Sequence, residues 1–247
     1  MKTQAIVIQG KGYKLSGTLV IPDKITNKLP SVIFYHGMVS QSKPRYVKRA
    51  EALTEYGIAS LVFDFRGCGE SDGKLGELSL SDWFEDALLA YDFLLKQSFV
   101  DPKRVGISGK SFGGYMAVLV SKERGIASMV LHAPAVYDDA WFNSFPYKPS
   151  NDNDEYARQR RIYRNSKNAF SNKAMKAIKV YSHPLLVVGS ELDDICPKNV
   201  VEGYYNLCQS KNKRIEWIKG ADHPLIKEEW NQQYFLLMAD WFKKTLF

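Results

Sequence analysis

Residues 109–114, with the sequence GKSFGG, have the composition of a turn that presents a nucleophile. They fit the pattern G-x-S-x-G, follow an apolar run that ends at Ser108, and open a helical pattern that starts at Tyr115. Glycines on either side of the serine tolerate the crowding of a tight strand-to-helix turn, which lifts the hydroxyl above the sheet edge at a helix N-terminus. Ser111 is therefore a candidate nucleophile for acyl transfer.

The same residues overlap a second motif. Gly109, Lys110 and Ser111 fit the end of the phosphate-binding pattern G-x-x-x-x-G-K-[ST]. That pattern requires a glycine five positions before Gly109, where this chain has Arg104, and Gly106 is only three positions away. A nucleotide-binding loop is therefore disfavoured.

A serine nucleophile needs a base and an acid, and both follow Ser111 in the chain. A neutral imidazole must take the hydroxyl proton, and a carboxylate must fix the tautomer of that imidazole. The buried-strand pattern 184–189 leads into a loop with Asp193 and Asp194, and the strand candidate 214–218 is followed by His223. These spacings predict His223 as the base and Asp193 or Asp194 as the acid.

The elements that must position these residues alternate between strands and helices. Eight strands are predicted, and alternation indicates an α/β fold in which a mostly parallel sheet carries helices on both faces. The loops with the candidate residues then gather at the carboxyl ends of the strands. The predicted strands are 4–9, 14–21, 31–35, 59–65, 105–108, 127–132, 185–189 and 215–218, and the predicted helices are 45–56, 80–97, 112–123, 199–209 and 225–244.

Residues 137–180 interrupt the alternation and predict a small cap insertion within one domain of 247 residues. The insertion is rich in aromatic side chains, of which Trp141, Phe142 and Phe145 are candidates to wall an apolar acyl or aryl pocket. Aromatic residues at this spacing are equally typical of side chains that pack a cap onto the body. Both interpretations stay open at this point.

The insertion also supplies over half of the formal net charge of +7. Arg158, Arg160, Arg161 and Arg164 crowd one helical segment. A positive cap would raise the local concentration of anionic substrates. An arginine run is more often a solvated helix face, so sequence alone favours the surface interpretation.

The sequence resembles the α/β-hydrolase superfamily over nearly its whole length. It is most similar to compact bacterial serine esterases of the feruloyl/cinnamoyl esterase and serine aminopeptidase-like group. Five segments carry the resemblance: residues 36–38 after one strand, 64–71 after the next, the turn around Ser111, the loop 193–197, and the pair Asp222-His223.

The resemblance assigns roles that spacing alone leaves open. It places the acid four residues before Pro197, which selects Asp193 over Asp194. It implies an oxyanion hole formed by the backbone N–H groups of Met38 and Phe112. It further implies that His36 orders the loop carrying Met38, that Asp64 and Arg66 belong to a structural turn braced by an ion pair, and that His132 and His183 are structural.

Other classes of protein find little support in the sequence. Cys68, Cys196 and Cys208 form no C-x-x-C pair and the four histidines lack paired ligand spacing, so no metal site or cofactor is expected. The positive charge lacks a recognised nucleic-acid-binding pattern. No run reaches the length of a membrane span, and the first residues lack a signal-peptide core. We expect a cytoplasmic protein without a nucleic-acid or membrane partner, although processing of a precursor would hide an exported origin.

The triad and the resemblance together predict a serine hydrolase that cleaves small carboxylic esters through an acyl-enzyme intermediate. A thioesterase or a peptidase uses the same tetrahedral chemistry and stays open as an alternative. A catalytically silent, ligand-binding member of the fold is a further alternative, disfavoured because all three triad residues are present. The sequence leaves the acyl group, the alcohol and the oligomeric state undetermined.

Overall fold

The computed structural model describes residues 1–25, 27–38, 43–143 and 155–247. Within them, eight strands form one sheet. The strands are β1 (Lys2–Gln9), β2 (Lys14–Ile21), β3 (Leu29–Tyr35), β4 (Ala59–Phe63), β5 (Val100–Lys110), β6 (Ser128–His132), β7 (Leu185–Ser190) and β8 (Lys213–Ile218). The α-helices of the described residues are α1 (Lys43–Leu53), α2 (Leu80–Leu95), α3 (Phe112–Glu123), α4 (Glu155–Arg164), α5 (Lys173–Val180), α6 (Lys198–Leu207) and α7 (Glu228–Thr245).

The sheet order is β1-β2-β4-β3-β5-β6-β7-β8. Strand β1 pairs antiparallel with β2, and β2 pairs antiparallel with β4, whereas every pair from β4 through β3 to β8 is parallel. The carboxyl ends of β3, β5, β7 and β8 therefore lie along one edge, where the loops that follow them can meet.

Helices cover both faces because the parallel strands are apolar on both sides. On one face, α2, α3, α5 and α6 contribute to a core that includes Trp83, Tyr115 and Tyr204. On the other face, α1 and α7 contribute Tyr46 and Phe242 to a smaller core. The predicted eight-stranded α/β-hydrolase architecture is thus confirmed.

Element boundaries differ most where apolar periodicity is weak. The predicted and observed bounds agree for β2 and α3. By contrast, β5 begins at Val100, five residues before its predicted start, and Pro102 with its charged neighbours obscures that extension. The described part of the predicted insertion, residues 137–143 and 155–180, is largely helical, and α5 at its end packs against α3 and α6 as part of the body.

The first turn of α3 lies directly on the end of β3. At Gly113, an added Cβ would overlap the carbonyl group of Tyr35 and lie 2.6 Å from the carbonyl oxygen of His36. Backbone atoms at the centre of a sheet cannot move away as a flexible side chain can. Glycine at this position therefore sets how closely the helix behind Ser111 approaches the sheet.

Replacement of Gly113 tests this packing. We expect Gly113→Ala to lower the free energy of unfolding by about 3 kcal/mol, which lowers the Tm by about 6 to 12 °C for a chain of this size. Gly125→Ala is the matched control, because an added Cβ there meets nothing within 4 Å. Thermal unfolding followed by circular dichroism measures both, and an equal Tm for the two variants would contradict the packing argument.

Candidate active site

Ser111 sits in a strained turn between β5 and α3. Its backbone has φ 50° and ψ −114°, a conformation that non-glycine residues rarely adopt. The Ser111 N–H donates to the carbonyl of His132 at 2.9 Å, which ties the turn to the end of β6. At Gly109, an added Cβ would lie 2.6 Å from the carbonyl oxygen of Gly113. The turn that the sequence predicts around Ser111 is thus present, with its serine in a sterically costly conformation.

His223 and Asp193 are joined by a hydrogen bond. The His223 Nδ1 atom, in the loop after β8, lies 2.7 Å from Asp193 Oδ2, in the loop after β7. The other oxygen of Asp193 accepts the backbone N–H groups of Ile195 at 2.9 Å and Cys196 at 2.8 Å. An ionised carboxylate only accepts, so Nδ1 of His223 carries the proton and Nε2 is left as an acceptor.

Ser111 and His223 open onto the same cavity of about 640 Å³. Both side chains are largely buried, at 8% and 7% exposure. The volume suits a small organic ligand. The cavity is lined by Gly37, Met38, Lys110, Ser111, Tyr137, Ala157, Arg160, Arg161, Arg164, Asp194, Ile195, His223 and Pro224.

The two backbone groups expected to form the oxyanion hole flank Ser111. Phe112 is the first residue of α3, so its N–H is one of the backbone donors at a helix start that have no acceptor within the helix. Met38 lines the cavity beside Ser111. Gly37 lies against the turn, since a Cβ added to it would be 3.9 Å from Ser111 Cβ. Met38 thus lines the same cavity as Ser111, and the assignment of the two N–H groups to an oxyanion hole stays a prediction.

His36 braces the loop that carries Met38. Its Nδ1 atom lies 2.7 Å from the carbonyl oxygen of Gly37, and its Nε2 atom accepts the N–H of Phe65 at 3.0 Å. A carbonyl only accepts and an N–H only donates, so these partners require the neutral imidazole protonated on Nδ1. Burial lowers the pKa of His36, which favours the same neutral form.

The two adjacent aspartates of the acid loop differ in their surroundings. The Asp193 side chain is 3% exposed and bonded to His223, whereas Asp194 is exposed at the cavity wall. The geometry thus distinguishes two candidates that spacing alone left equivalent.

Cys196 is a site neighbour that the sequence analysis did not single out. Its buried side chain hydrogen-bonds with Ser111, and burial raises the pKa of the thiol to about 11. The thiol therefore stays protonated and contacts the nucleophile as a neutral group. The sequence signal for this contact is the position of Cys196 three residues after Asp193, because the loop that carries the acid of a triad must lie near the nucleophile.

Lys110 places an ammonium group with a lowered pKa at the cavity wall. Burial lowers the pKa of its ammonium group to about 8, and Arg49 and Arg45 act in the same direction. Asp193 and Asp222 oppose this shift. The ammonium group donates to the carbonyl of Pro224 at 3.1 Å and so supports the loop that holds His223. Below about pH 8 this group remains a cation at the cavity wall.

Three of the four clustered arginines face the cavity. Arg160, Arg161 and Arg164 line it together with Ala157, and these four positions follow the i, i+3, i+4, i+7 spacing of one helix face. Arg158 instead pairs with Glu155 at 2.8 Å on the exposed side of α4. The exposed ion pair of Arg158 is typical of a solvated helix face, whereas the other three arginines line the cavity.

The aromatic residues proposed as a pocket wall have other neighbours. Trp141 packs on Tyr163 with ring centroids 5.5 Å apart, and Phe142 packs on Phe84 at 6.0 Å. Neither is among the cavity-lining residues. Trp141 therefore packs within the insertion, and Phe142 packs the insertion onto α2, so neither is placed in the cavity wall. Phe145 lies outside the described residues.

Asp64 and Arg66 form ion pairs with other partners rather than with each other. Lys43 lies 2.9 Å from Asp64, and Arg66 lies 2.7 Å from Asp86. Burial raises the pKa of Asp86 to about 6 even though Arg66 opposes the shift. These pairs join the loop after β4 to α1 and α2.

The remaining two histidines lie outside the cavity wall. His132 is fully buried, with Nε2 3.1 Å from the Ser190 hydroxyl, and burial lowers its pKa well below the usual range. His183 is exposed and contacts Tyr181 at the start of β7. Both positions agree with structural roles.

The described residues hold no group of three or more histidine, cysteine or acidic side chains arranged to bind a metal ion. Cys68, Cys196 and Cys208 are each buried free thiols. In the same residues, no helix has both the length and the apolar composition needed to cross a bilayer.

The sheet order, the turn around Ser111 and the loops after β7 and β8 are those of the α/β-hydrolase fold, which confirms the resemblance seen in the sequence. The model of the prolyl oligopeptidase family matches residues 44–247. The chain therefore belongs to the prolyl oligopeptidase family.

Curated relatives match over part of their length. An uncharacterised 31.7 kDa protein of Escherichia coli is 34% identical over 105 residues, which cover 41% of this chain and 37% of that protein. The quorum-quenching protein AidA of Acinetobacter baumannii is 31% identical over 126 residues, covering 49% and 40%. The chain thus spans less than half the length of these relatives.

Solved structures share the fold across the whole chain. Est1E from Butyrivibrio proteoclasticus, with ferulic acid bound, superposes with a TM-score of 0.71 at 23% identity and covers 97% of both chains. The esterase domain of a Rhodothermus marinus protein superposes with a TM-score of 0.72 at 17% identity and covers 100% of both. At these identities the likeness concerns the fold.

Proposed function

We propose that this protein is a serine esterase that hydrolyses small carboxylic esters through an acyl-enzyme on Ser111. The observation that carries the proposal is the 2.7 Å hydrogen bond between His223 Nδ1 and Asp193. Because this bond uses the proton on Nδ1, Nε2 is left unprotonated and can act as the base for Ser111, which lines the same cavity.

In the first half-reaction, the Ser111 oxygen attacks the ester carbonyl as its proton passes to His223 Nε2. Asp193 stabilises the imidazolium that forms, and the N–H groups of Met38 and Phe112 bind the oxyanion. The imidazolium then protonates the departing alcohol, leaving the acyl group on Ser111. In the second half-reaction, water attacks that ester with His223 again as the base, which releases the acid and restores Ser111.

Family membership favours a peptidase as the second candidate. A peptidase that reads a free substrate amine needs carboxylates at the cavity wall. Among the described lining residues Asp194 is the one acidic side chain, against four cations: Lys110, Arg160, Arg161 and Arg164. Glu155 is not among the lining residues and pairs with Arg158. The charge of the site therefore favours the esterase.

A substrate panel separates the two candidates. Para-nitrophenyl esters from acetyl to long-chain are compared with acyl-CoA thioesters, with para-nitroanilides of the same acyl groups, and with aminoacyl para-nitroanilides that carry a free amine. We expect turnover of short esters, since the cavity is bounded, and no turnover of anilides. Cleavage of an anilide at a rate near that of its matched ester would contradict the proposal and assign a peptidase, and preference for acyl-CoA would assign a thioesterase.

A further inference from the structure

The cavity wall opposite the turn around Ser111 is a helix face of one charge. Arg160, Arg161 and Arg164 stand at i, i+1 and i+4 on α4, and all three line the cavity with Ser111 and His223. We call these three residues the cationic face. Like charges at this spacing on a helix repel each other.

The members of the cationic face differ in how far they are buried. Arg164 is 5% exposed, donates to the carbonyl of Ile195 at 2.8 Å and lies over the ring of Tyr137 at 5.5 Å. Arg164 therefore holds α4 against the loop that carries Asp193. Arg160 is half-buried and Arg161 is exposed, one turn nearer the N-terminus of the helix. Both line the cavity together with Ser111 and His223.

The rest of the wall adds to the positive charge. Lys110 lies next to Ser111 in the chain and remains a cation at neutral pH, and Asp194 is the one acidic residue among the described lining side chains. Guanidinium groups bind carboxylate and phosphate oxygens through paired N–H donors, with stronger hydrogen bonds than neutral groups form. In a partly enclosed cavity such contacts are less screened than at an open surface.

We infer that the substrate is an anionic ester whose carboxylate or phosphate group binds Arg160 and Arg161 while its ester carbonyl reaches Ser111. The inference rests on the proposed function and deepens it by naming the substrate class. The reaction is unchanged: water is consumed, the acyl–oxygen bond breaks, and the anionic group remains on its fragment throughout.

The test compares two esters that differ in one charge. Para-nitrophenyl hydrogen adipate carries a carboxylate at the far end of the acyl chain, and para-nitrophenyl methyl adipate carries a neutral methyl ester there. At neutral pH and low salt, we expect kcat/KM to favour the anionic ester by about 10- to 100-fold. Added salt is expected to reduce that preference, because it screens the attraction.

Two variants assign the preference to the cationic face. The double variant Arg160→Gln/Arg161→Gln is expected to bring the ratio of the two kcat/KM values close to one. Arg158→Gln is the matched control, since Arg158 lies on the same helix but outside the cavity, and it should keep the wild-type ratio. An equal ratio in wild-type protein and the double variant, or a wild-type preference for the neutral ester, overturns the inference.

Binding without turnover separates this inference from the proposed function. Ser111→Ala protein is titrated by calorimetry with adipate and with inorganic phosphate, in the presence and absence of the double substitution. Binding that is lost with Arg160 and Arg161 supports the inference even if no ester is hydrolysed, and the tighter anion identifies a carboxylate or a phosphate. No binding of either anion overturns it, even if neutral esters are turned over.

Discussion

Ser111→Ala is expected to lower kcat for ester hydrolysis by a factor on the order of 10³ to 10⁶, since the members of a catalytic triad act as a unit. Alanine retains the turn but removes the oxygen that forms the acyl-enzyme. The measurement is kcat with a short aryl ester, using enzyme purified separately from any wild-type preparation.

Ser121→Ala is a suitable control for Ser111→Ala. Ser121 lies on the same helix, where its hydroxyl donates to the carbonyl of Val118 at 2.7 Å, away from the cavity wall. Its activity should remain near that of the wild type. Substantial turnover by Ser111→Ala, at the level of this control, would remove Ser111 from the mechanism.

Asp193→Asn is expected to reduce kcat by about 10⁴, because an amide can donate to His223 Nδ1 and so stabilise the wrong imidazole tautomer. The Asp193 carboxylate accepts hydrogen bonds from His223 Nδ1 and from two backbone N–H groups, and these three bonds fix its orientation. The pre-steady-state acylation rate and kcat should fall together.

Asp194→Asn is the control for Asp193→Asn. It has the same chemistry one residue along the chain, on an exposed side chain at the cavity wall. We expect it to change kcat by less than about tenfold, since it makes no contact with the base. If Asp194→Asn were the more damaging substitution, the acid would have to be reassigned to Asp194.

The fold and the order of the candidate triad could be predicted from the sequence because they depend on local patterns. The turn around Ser111 has a strict glycine requirement, and the strands before it and before the acid loop are unbroken apolar runs. The bounds of β2 and α3 agree with the prediction for the same reason.

Features that depend on tertiary packing could not be predicted in the same way. Whether Arg160 and Arg161 face water or a cavity depends on where α4 lies relative to the turn around Ser111, and the sequence gives only the angle between the two residues on the helix. The contact of Cys196 with Ser111 joins residues far apart in the chain. Trp141 was a reasonable pocket candidate by composition, yet its packing on Tyr163 is decided by the path of the insertion.

The central claim, that Ser111 is a nucleophile activated by His223, is tested most directly by covalent labelling. The wild-type protein is incubated with a fluorophosphonate, and the modified peptide is identified by mass spectrometry. We predict one label per chain on Ser111, none in Ser111→Ala, and markedly slower labelling in His223→Ala. An unlabelled, folded wild-type protein, or a label on another residue with Ser111 unmodified, would contradict the account.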